Sequence, residues 1–330
     1  MEIIIDTDSA NQRIDRFVRK FCKQYPHVTL PEIYKGIRTW LIKVNGRKTK
    51  ENNKVQEGDT ITFHEKFDLG KHKPWAAKNI KDHRKERIKR DEVTQQIIHE
   101  DEERLVRNKP AWIVLHESKD HRQDLSMNDY LEEYIQYKKT ESTENTTFKP
   151  SFGYRLDKDT SGVLIAAKTY NALQYINEII RDRKVDKWYE TIVVWSFPKH
   201  LSMKESLHKT FNEKFQRAQV VAAKKGKKSS THAKNIKTRE HEILWTISLV
   251  HVKIETWRMH QIRVHLAHAW YPVVGDIVYG NPVINRKLYK QCGIKRQLLH
   301  CQTYEFIDEQ WTKRTFTAPL PADMQRLQTR

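Results

Sequence analysis

The sequence predicts a two-domain protein of the α/β or α+β class. Its 330 residues correspond to about two domains of average size. Short apolar runs with strand character alternate along the chain with amphipathic helical stretches, as in a sheet flanked by helices. A strongly basic stretch begins after residue 65. We therefore predict domains at 1–65 and 96–330, joined by a basic linker at 66–95.

The first predicted domain, residues 1–65, contains two helices followed by small strands. An apolar stripe with helical spacing predicts a helix over Ile14–Phe21. A second helix begins near Pro31, because proline suits the first helical turn, and its apolar face continues to Leu41. Asn45-Gly46 favours a tight turn, and Thr60–Phe63 alternates like a strand.

Basic residues accompany both helices of this domain, which predicts an RNA-binding module. A helix lying on a membrane surface is the alternative for residues 14–21, but the segment is short and a hairpin follows it. The basic residues that we expect to contact RNA from this module are Arg13, Arg16, Lys35 and Arg38.

The overall charge indicates a polyanionic partner. The chain has 61 Lys and Arg residues against 42 Asp and Glu, a formal net charge of +19, which favours nucleic acid over a generic basic protein. A second basic concentration surrounds Lys224 and Lys225. Gly226 lies among these lysines, but the spacing of a phosphate-binding loop is absent, so we expect contact with RNA backbone and no nucleotide cofactor.

Cysteine spacing and the lack of long apolar runs exclude several classes. No apolar run approaches the ~20 residues that a membrane span needs, and the N-terminus lacks the basic start of a secretory signal. Cys22, Cys292 and Cys301 are widely spaced and odd in number, so they indicate neither a disulfide framework nor a zinc site. We expect a cytoplasmic monomer.

Three histidines near residue 260 could suggest a metal site. Zinc-binding helices favour histidines four residues apart, whereas His260, His265 and His268 are separated by five and three residues. We therefore expect no metal, and interpret these side chains as hydrogen-bonded histidines, of which His260 is a candidate for RNA contact.

The second predicted domain, residues 96–330, contains several strands and at least two helices. The predicted strands are Ala111–Leu115, Val163–Ala167, Trp188–Trp195 and Ile243–Ile254, and the predicted helices cover Leu173–Ile180 and Gln261–Ala269. We expect its strand-borne tryptophans mainly in the core, with one or two at most reaching RNA. These are Trp188, Trp195, Trp245, Trp257 and Trp270.

The most informative segment of this domain is Tyr-Arg-Leu-Asp-Lys-Asp-Thr-Ser-Gly, at residues 154–162. Alone, such a polar segment is most often a turn whose carboxylates accept from nearby N–H groups. Three further segments follow it in order: Lys187-Trp188-Tyr189, the run Arg-Met-His-Gln-Ile-Arg-Val-His-Leu at 258–266, and a segment at 272–280 that contains Gly275-Asp276 and Tyr279-Gly280. Together they resemble the R-L-D-x-x-T-S-G, K-x-Y, R-x-H-Q-I-R-V-H-L and G-D-x-x-Y-G motifs of the RluA-type pseudouridine synthases.

The resemblance covers nearly the whole chain, apart from the linker and insertions. Residues 12–63 are similar to the RNA-binding domain of ribosomal protein S-four, which many of these synthases carry in front. The implied fold is α+β: a small S-four-like domain, then a catalytic domain built on a mixed, largely antiparallel sheet with flanking helices. The implied activity is the isomerisation of uridine in RNA to pseudouridine, without cofactor. The resemblance is strongest to the RluC-like branch, which acts on large-subunit ribosomal RNA.

The resemblance also implies roles for individual residues. Asp157 matches the catalytic aspartate, acting as nucleophile or base, and Arg263 matches the arginine paired with it, where a nearby cation favours the ionised carboxylate. Tyr189 matches the tyrosine that stacks on the target base. Arg155 matches the residue that fills the gap left by the extruded nucleotide, an extrusion that costs a few kcal/mol in a duplex. Arg258 lies in the third motif and is a further candidate for RNA contact.

The chain departs from the family pattern at two positions. Tyr154 replaces the usual histidine before Arg-Leu-Asp, and Trp257 replaces the usual glycine before Arg258. We interpret both as changes in packing near the pocket. Two alternatives stay open: a synthase acting on tRNA, and a non-catalytic ribosome assembly factor that keeps the fold. The presence of Asp157, Tyr189 and Arg263 favours the enzyme.

Overall fold

The computed structural model describes residues 1–25, 27–69, 96–116, 125–138, 148–212, 217–242 and 244–329. Its N-terminal part is a three-stranded antiparallel sheet with two helices. In chain order these are β1 (Glu2–Ile4), α1 (Ile14–Phe21), α2 (Leu30–Arg38), β2 (Ile42–Val44) and β3 (Thr60–Phe63), with β3 in the centre of the sheet.

This N-terminal part has a hydrophobic core of its own, in which Ile14, Phe17 and Val18 of α1 pack against Ile33 and Ile37 of α2 and the strands. A capping box between Thr29 and Glu32 begins α2, since it satisfies backbone N–H groups that have no partner within the helix. The helix ends at Arg38, so its predicted extension to Leu41 is wrong.

The largest structure is a ten-stranded sheet. In chain order its strands are β4 (Ile97–Glu100), β5 (Arg104–Lys109), β6 (Ser151–Phe152), β7 (Ser161–Ala167), β8 (Val185–Val194), β9 (His200–Met203), β13 (Thr231–His241), β14 (Trp245–Ile254), β15 (Leu299–Ile307) and β16 (Lys313–Thr317). The spatial order is β4-β5-β7-β15-β8-β14-β13-β9, with β6 beside β7 and β16 beside β15. Every described pair is antiparallel except β7 with β15, so the expected mixed, largely antiparallel sheet is confirmed.

Five helices accompany this sheet in the described ranges: α3 (Met127–Lys138), α4 (Tyr170–Arg181), α5 (Gln261–His268), α6 (Pro282–Cys292) and α7 (Ala322–Thr329). One large core lies between the sheet and α3, α4 and α5, and a second includes residues of α6 and α7. Strands β10 (Ser206–Asn212), β11 (Arg217–Ala222) and β12 (Lys227–Lys228) form a separate small sheet. No described helix is long and apolar enough to span a membrane.

The parallel pairing of β7 with β15 depends on Gly162. This residue has φ +118°, and a Cβ built on it would lie 2.1 Å from the carbonyl oxygen of Cys301. No side chain fits there, so glycine is required for the two strands to approach. The adjacent Ser161 hydroxyl bonds His300 Nδ1 at 2.9 Å, which ties the start of β7 to β15.

The structure corrects several element predictions. Residues Ala111–Leu115 form turns and an isolated bridge at Val114, and the strand lies earlier, at Arg104–Lys109. Trp245 and Trp270 are 77% and 80% exposed, so the expectation that they belong to the core is wrong. The predicted linker at 66–95 lies outside the described residues from 70 onward.

Two polar residues of the N-terminal part, Asn11 and Lys20, contact helix α4 and Phe148. Asn11 Nδ2 donates to Asn171 Oδ1 at the start of α4, at 3.1 Å. The ammonium of Lys20, on α1, lies 5.5 Å from the ring centroids of both Phe148 and Tyr170. A cation over aromatic faces is favourable, so α1 is anchored beside α4.

Candidate active site

A cavity of about 480 Å³ lies beside the turn that precedes β7. This volume is within the range of small-molecule sites. Its wall combines the turn at 153–160, strand β8 and the segment that leads into α5. Among the lining residues are Arg155, Asp157, Lys187, Tyr189, Arg258, His260 and Arg263. The sequence segments whose side chains can take part in a reaction therefore converge on one cavity.

Asp157 and Arg263 form an ion pair at this cavity. Arg263 Nη1 donates to Asp157 Oδ2 at 3.0 Å. The Asp157 side chain is 26% exposed, whereas the Arg263 side chain is only 4% exposed. One partner is thus open to a ligand while the other is held in the protein.

Asp276 holds Arg263 from the opposite side. Arg263 Nε and Nη2 donate to the two carboxylate oxygens of Asp276 at 2.7 and 2.9 Å, in a bidentate pair. Burial by itself lowers the pKa of Arg263, but the hydrogen bonds and charge of Asp276, and then those of Asp157, raise it. Burial likewise opposes ionisation of Asp276, and Arg263 lowers its pKa overall. The guanidinium is therefore charged, and its two parallel hydrogen bonds to Asp276 fix its orientation.

Asp276 also organises the chain that follows it. Its Oδ1 accepts from the backbone N–H groups of Val278 at 2.8 Å and Tyr279 at 3.0 Å. The carboxylate is fully buried, and all these contacts are charge-assisted. One side chain therefore fixes both Arg263 and the turn at 276–280.

Tyr189 lies in β8, between Val252 of β14 and Cys301 of β15. Its side chain is 6% exposed and forms part of the cavity wall. Burial raises the pKa of Tyr189 well above its ordinary value, and the neighbouring Cys301 thiol raises it further. The phenol is therefore neutral, and its ring offers a flat surface on which a base can stack.

The turn that carries Asp157 is held by buried cations. Lys109 Nζ donates to the carbonyl oxygens of Pro110, Lys158 and Thr160 at 2.8–2.9 Å. Burial lowers the pKa of Lys109 to about 7. Arg296 Nη1 donates to the carbonyl oxygen of Asp159 at 3.2 Å. The backbone that follows Asp157 is therefore fixed by hydrogen bonds at Lys158, Asp159 and Thr160.

Arg296 connects this turn to the C-terminal helix. Its Nε and Nη2 form a bidentate pair with Asp323 of α7 at 2.7 and 2.8 Å. Because α7 packs on the sheet with the second core cluster, the end of the chain supports the turn that carries Asp157.

The two departures from the family pattern lie around Lys187. The ammonium of this fully buried lysine is 3.5 Å from the ring centroid of Tyr154, 5.0 Å from that of Tyr304 and 5.2 Å from that of Trp257. Tyr154 and Tyr304 stack, and the Tyr154 hydroxyl donates to the carbonyl of Val163 at 2.6 Å. Tyr154 is thus integrated into the packing, as expected. Trp257 packs against the core, but its indole Nε1 is buried without a hydrogen-bond partner among the described residues.

The remaining candidates for RNA contact occupy three places. Arg155, Arg258 and His260 lie at the cavity. Lys224 and Lys225 are exposed in the turn after β11. The N-terminal candidates Arg13, Arg16, Lys35 and Arg38 lie on or beside α1 and α2, where Arg13 pairs with Asp15 at 2.8 Å and Arg38 lies 3.6 Å from Glu51.

Sequence reasoning had given no role to Asp276, Lys109, Arg296 or Tyr279. Asp276 and Tyr279 stand in the motif at 272–280, which is a signal for them, whereas the contacts of Lys109 and Arg296 join distant parts of the chain and have no local signal. Within the described ranges, no three His, Cys, Asp or Glu side chains are grouped as metal ligands would be.

Comparisons with known proteins identify what the chain resembles. A family model described as RNA pseudouridylate synthase matches residues 103–268. The chain is 32% identical over 320 residues to ribosomal large subunit pseudouridine synthase C of Buchnera aphidicola subsp. Schizaphis graminum, covering 96% of this chain and 93% of the relative. It is 28% identical to ribosomal large subunit pseudouridine synthase D of the same organism, over 96% and 92%.

A similar fold occurs in a solved structure. Human RNA pseudouridylate synthase domain containing 4 superposes with a TM-score of 0.56 at 20% identity, over 72% of this chain and 94% of that chain. At this identity the likeness concerns the fold alone.

Proposed function

This chain belongs to the RNA pseudouridylate synthase family and is an RNA pseudouridine synthase, and from that premise we propose that it modifies uridines of large-subunit ribosomal RNA with Asp157 as the catalytic carboxylate. The observation that carries the proposal is the partly exposed Asp157 carboxylate, 3.0 Å from the buried Arg263 guanidinium, in the wall of a cavity that Tyr189 also lines.

The reaction moves one bond and one proton. The bond from uracil N1 to the ribose C1′ breaks, a bond from C5 to C1′ forms, and the proton of C5 is lost while N1 gains one. Asp157 acts at the sugar, as nucleophile or base. Arg263 holds it in place through a charge-assisted hydrogen bond of 3.0 Å. Tyr189 supplies the surface on which the detached uracil stacks, so that it is retained while it turns.

The target base has to leave its stack to enter the cavity. Extrusion of a base costs a few kcal/mol in a duplex and less in a loop. Arg155, at the rim of the same cavity, fills the space that the base leaves. Arg258, in the wall of the same cavity, contacts a neighbouring phosphate or sugar.

The substrate assignment rests on the relatives. Relatives named for synthases C and D of the large ribosomal subunit match almost the full length of this chain. Their names support ribosomal RNA of the large subunit as the substrate. Mapping pseudouridines in ribosomal RNA and tRNA from cells with and without the gene tests this: loss confined to tRNA would refute it.

Release of tritium from RNA labelled at uracil C5 tests the role of Asp157. We expect Asp157→Asn to bind RNA but to release no tritium, because its amide cannot act as nucleophile or base. Asp186→Asn is the matched control: Asp186 is 49% exposed at the start of β8 and pairs with Lys253. Undiminished release by the Asp157 variant would refute the assignment.

We also propose that residues 1–65 form an S-four-like RNA-binding domain, followed by a linker at 66–95 and a catalytic domain at 96–330. The separate N-terminal core and the exposed cations on α1 and α2 support this division. Each phosphate contact adds about 0.7–0.9 to the slope of log affinity against log salt. The triple variant Arg16→Gln, Lys35→Gln, Arg38→Gln should therefore lower that slope by about 2, and an unchanged slope would refute the role.

A further inference from the structure

His260 stands at the start of α5 with a left-handed backbone. Its φ is 55° and its ψ is 16°, a region uncommon for residues other than glycine, although histidine enters it more readily than most. Its Nε2 atom lies 3.7 Å from Asp157 Oδ2. Strained backbone persists where surrounding contacts determine it, and here those contacts come from Tyr279.

The Tyr279 hydroxyl has two partners. It accepts from the backbone N–H of Val220 at 2.9 Å, and it lies 2.8 Å from His260 Nδ1. A hydroxyl has one proton to donate, and within the described residues His260 Nδ1 is the acceptor available to it. We take the phenol as the donor to Nδ1, which places the hydrogen of a neutral imidazole on Nε2, the nitrogen that faces Asp157.

The two carboxylate oxygens of Asp157 have different surroundings. Oδ2 faces both Arg263 Nη1 and His260 Nε2. No described residue donates a hydrogen bond to Oδ1. The carboxylate is therefore held by one oxygen, and the other is left for the substrate.

We propose that Tyr279 and His260 are positioning residues that orient Asp157 by fixing the His260 tautomer. The inference rests on the proposed role of Asp157. Asp276 links this pair to the ion pair, because it holds the Arg263 side chain and the Tyr279 backbone N–H together. Val220, whose N–H donates to the Tyr279 hydroxyl, belongs to strand β11 of the small sheet, so hydrogen bonds connect that sheet with Asp157 through Tyr279, Asp276 and Arg263.

Tyr279→Phe tests the proposal with activity and with a spectroscopic signature. Without the phenol proton, His260 loses the bond that selects its tautomer. We expect kcat to fall between about 10- and 100-fold, the range for a small misplacement of a reacting group, with KM nearly unchanged. Tyr289→Phe, on the exposed face of α6, is the matched control.

The ¹⁵N shifts of the His260 ring report the tautomer directly. We expect the Nε2–H form in the full-length protein and a mixture in Tyr279→Phe. His260→Gln, whose amide can donate from near the Nε2 position, should retain more activity than His260→Asn, which is too short. An Nδ1–H tautomer in the unmodified protein, or unchanged kcat in Tyr279→Phe, would overturn the inference. Turnover by Asp157→Asn would instead refute the proposed function, and leaves the tautomer measurement unaffected.

A second, independent observation concerns the tryptophans. Of the eight tryptophans in the described ranges, six have left-handed backbones, with φ between 60° and 75°. Their side chains are 37–88% exposed, so burial does not stabilise them there. These residues are Trp40, Trp112, Trp195, Trp245, Trp270 and Trp311.

The local structure at these positions is of the kind that glycine serves. Trp270 follows the last turn of α5, where its N–H bonds the carbonyl of Ala267 at 3.1 Å and the N–H of Tyr271 bonds that of Leu266 at 2.8 Å. This pairing is the Schellman motif, whose left-handed residue is usually glycine. Trp40 directly follows Thr39, the C-cap residue of α2, and Trp311 lies between β15 and β16.

Bulky side chains are outliers in the left-handed region, because their Cβ approaches the following carbonyl. The chain has 10 glycines in 330 residues, whereas an average composition of ~7% would give about 23. We infer that the cell of origin inserts glycine at these six positions, because it reads as glycine a codon that other genetic codes read as tryptophan.

Mass spectrometry of peptides from the protein purified from its source organism tests this inference. Glycine at all six positions supports it, and tryptophan at any of them overturns it. In recombinant protein, Trp311→Gly should raise the folding equilibrium constant about fivefold. Trp188→Gly is the control and should lower it, because Trp188 lies within β8 and packs on His251 with ring centroids 4.7 Å apart. A lower constant for Trp311→Gly would also overturn the inference.

Discussion

Removing the Asp276 carboxylate should destabilise the protein strongly, although Asp276 lies behind the proposed catalytic residue. Asp276→Ala leaves the Arg263 guanidinium, whose side chain is 4% exposed, with Asp157 as its remaining carboxylate partner. It also leaves the N–H groups of Val278 and Tyr279 without their acceptor. Breaking a buried ion pair in this way costs about 3–5 kcal/mol.

This cost is large relative to the total stability of about 5–15 kcal/mol that proteins have. For a domain of this size, each kcal/mol lowers Tm by about 2–4 °C, so we expect a decrease of roughly 6–20 °C. The effect is fully present at pH 7, because Arg263 lowers the pKa of Asp276. The contribution of a carboxylate with a lowered pKa is present above its unfolded pKa and is lost as the pH falls through the folded one.

The assay is thermal unfolding followed by circular dichroism, with urea titration to obtain the free energy. Asp186→Ala is the matched control, because Asp186 forms an ion pair of the same length, 2.7 Å to Lys253, on the surface. Exposed pairs contribute about 0–1 kcal/mol. A Tm decrease for Asp276→Ala no larger than that of the control would refute the view that this pair supports the site.

Three further predictions concern the supports of the site and the fold. Lys109→Met removes three hydrogen bonds to buried carbonyls and should cost about 3 kcal/mol, measured by urea unfolding; a variant as stable as the parent would contradict it. Trp270→Gly should stabilise by about 1 kcal/mol, because it relieves a left-handed backbone at a side chain that is 80% exposed, and a lower Tm would argue against this strain. Burial lowers the pKa of His300 to about 4, so the imidazole is neutral in the folded state, whereas in the unfolded state it is protonated below about pH 6.5. The free energy of unfolding should therefore fall by about 2 kcal/mol as the pH is lowered from 7.5 to 5. An unchanged pH dependence in His300→Gln would exclude this residue as the cause.

Local sequence determined much of the fold. The spacing of apolar residues locates α1, α4, β8 and β14 to within a few residues, because each of them buries one face whose period is visible in the chain. Strand β7 is buried throughout and is located by its continuous apolar run instead. Strand β5 was misplaced to Ala111–Leu115, since a short apolar run looks the same whether it forms a strand or a turn packed on the core. The resemblance implies that Arg263 pairs with Asp157 and that Tyr189 stacks on the target base; the structure brings these three side chains to one cavity, and their roles stay predictions.

The tertiary structure alone decided how that cavity is held. Arg263 and Asp276 are close in sequence, but their bidentate pair depends on how the turn after α5 folds back. Lys109 reaches the carbonyl of Thr160, 51 residues away, and Arg296 joins α7 to the turn of Asp157. Such contacts leave no periodic signal, because they depend on side-chain reach across folded elements. The sequence by itself therefore determined the family, the charge and the proposed reacting groups, whereas long-range packing determined the positions and hydrogen-bond partners of those groups.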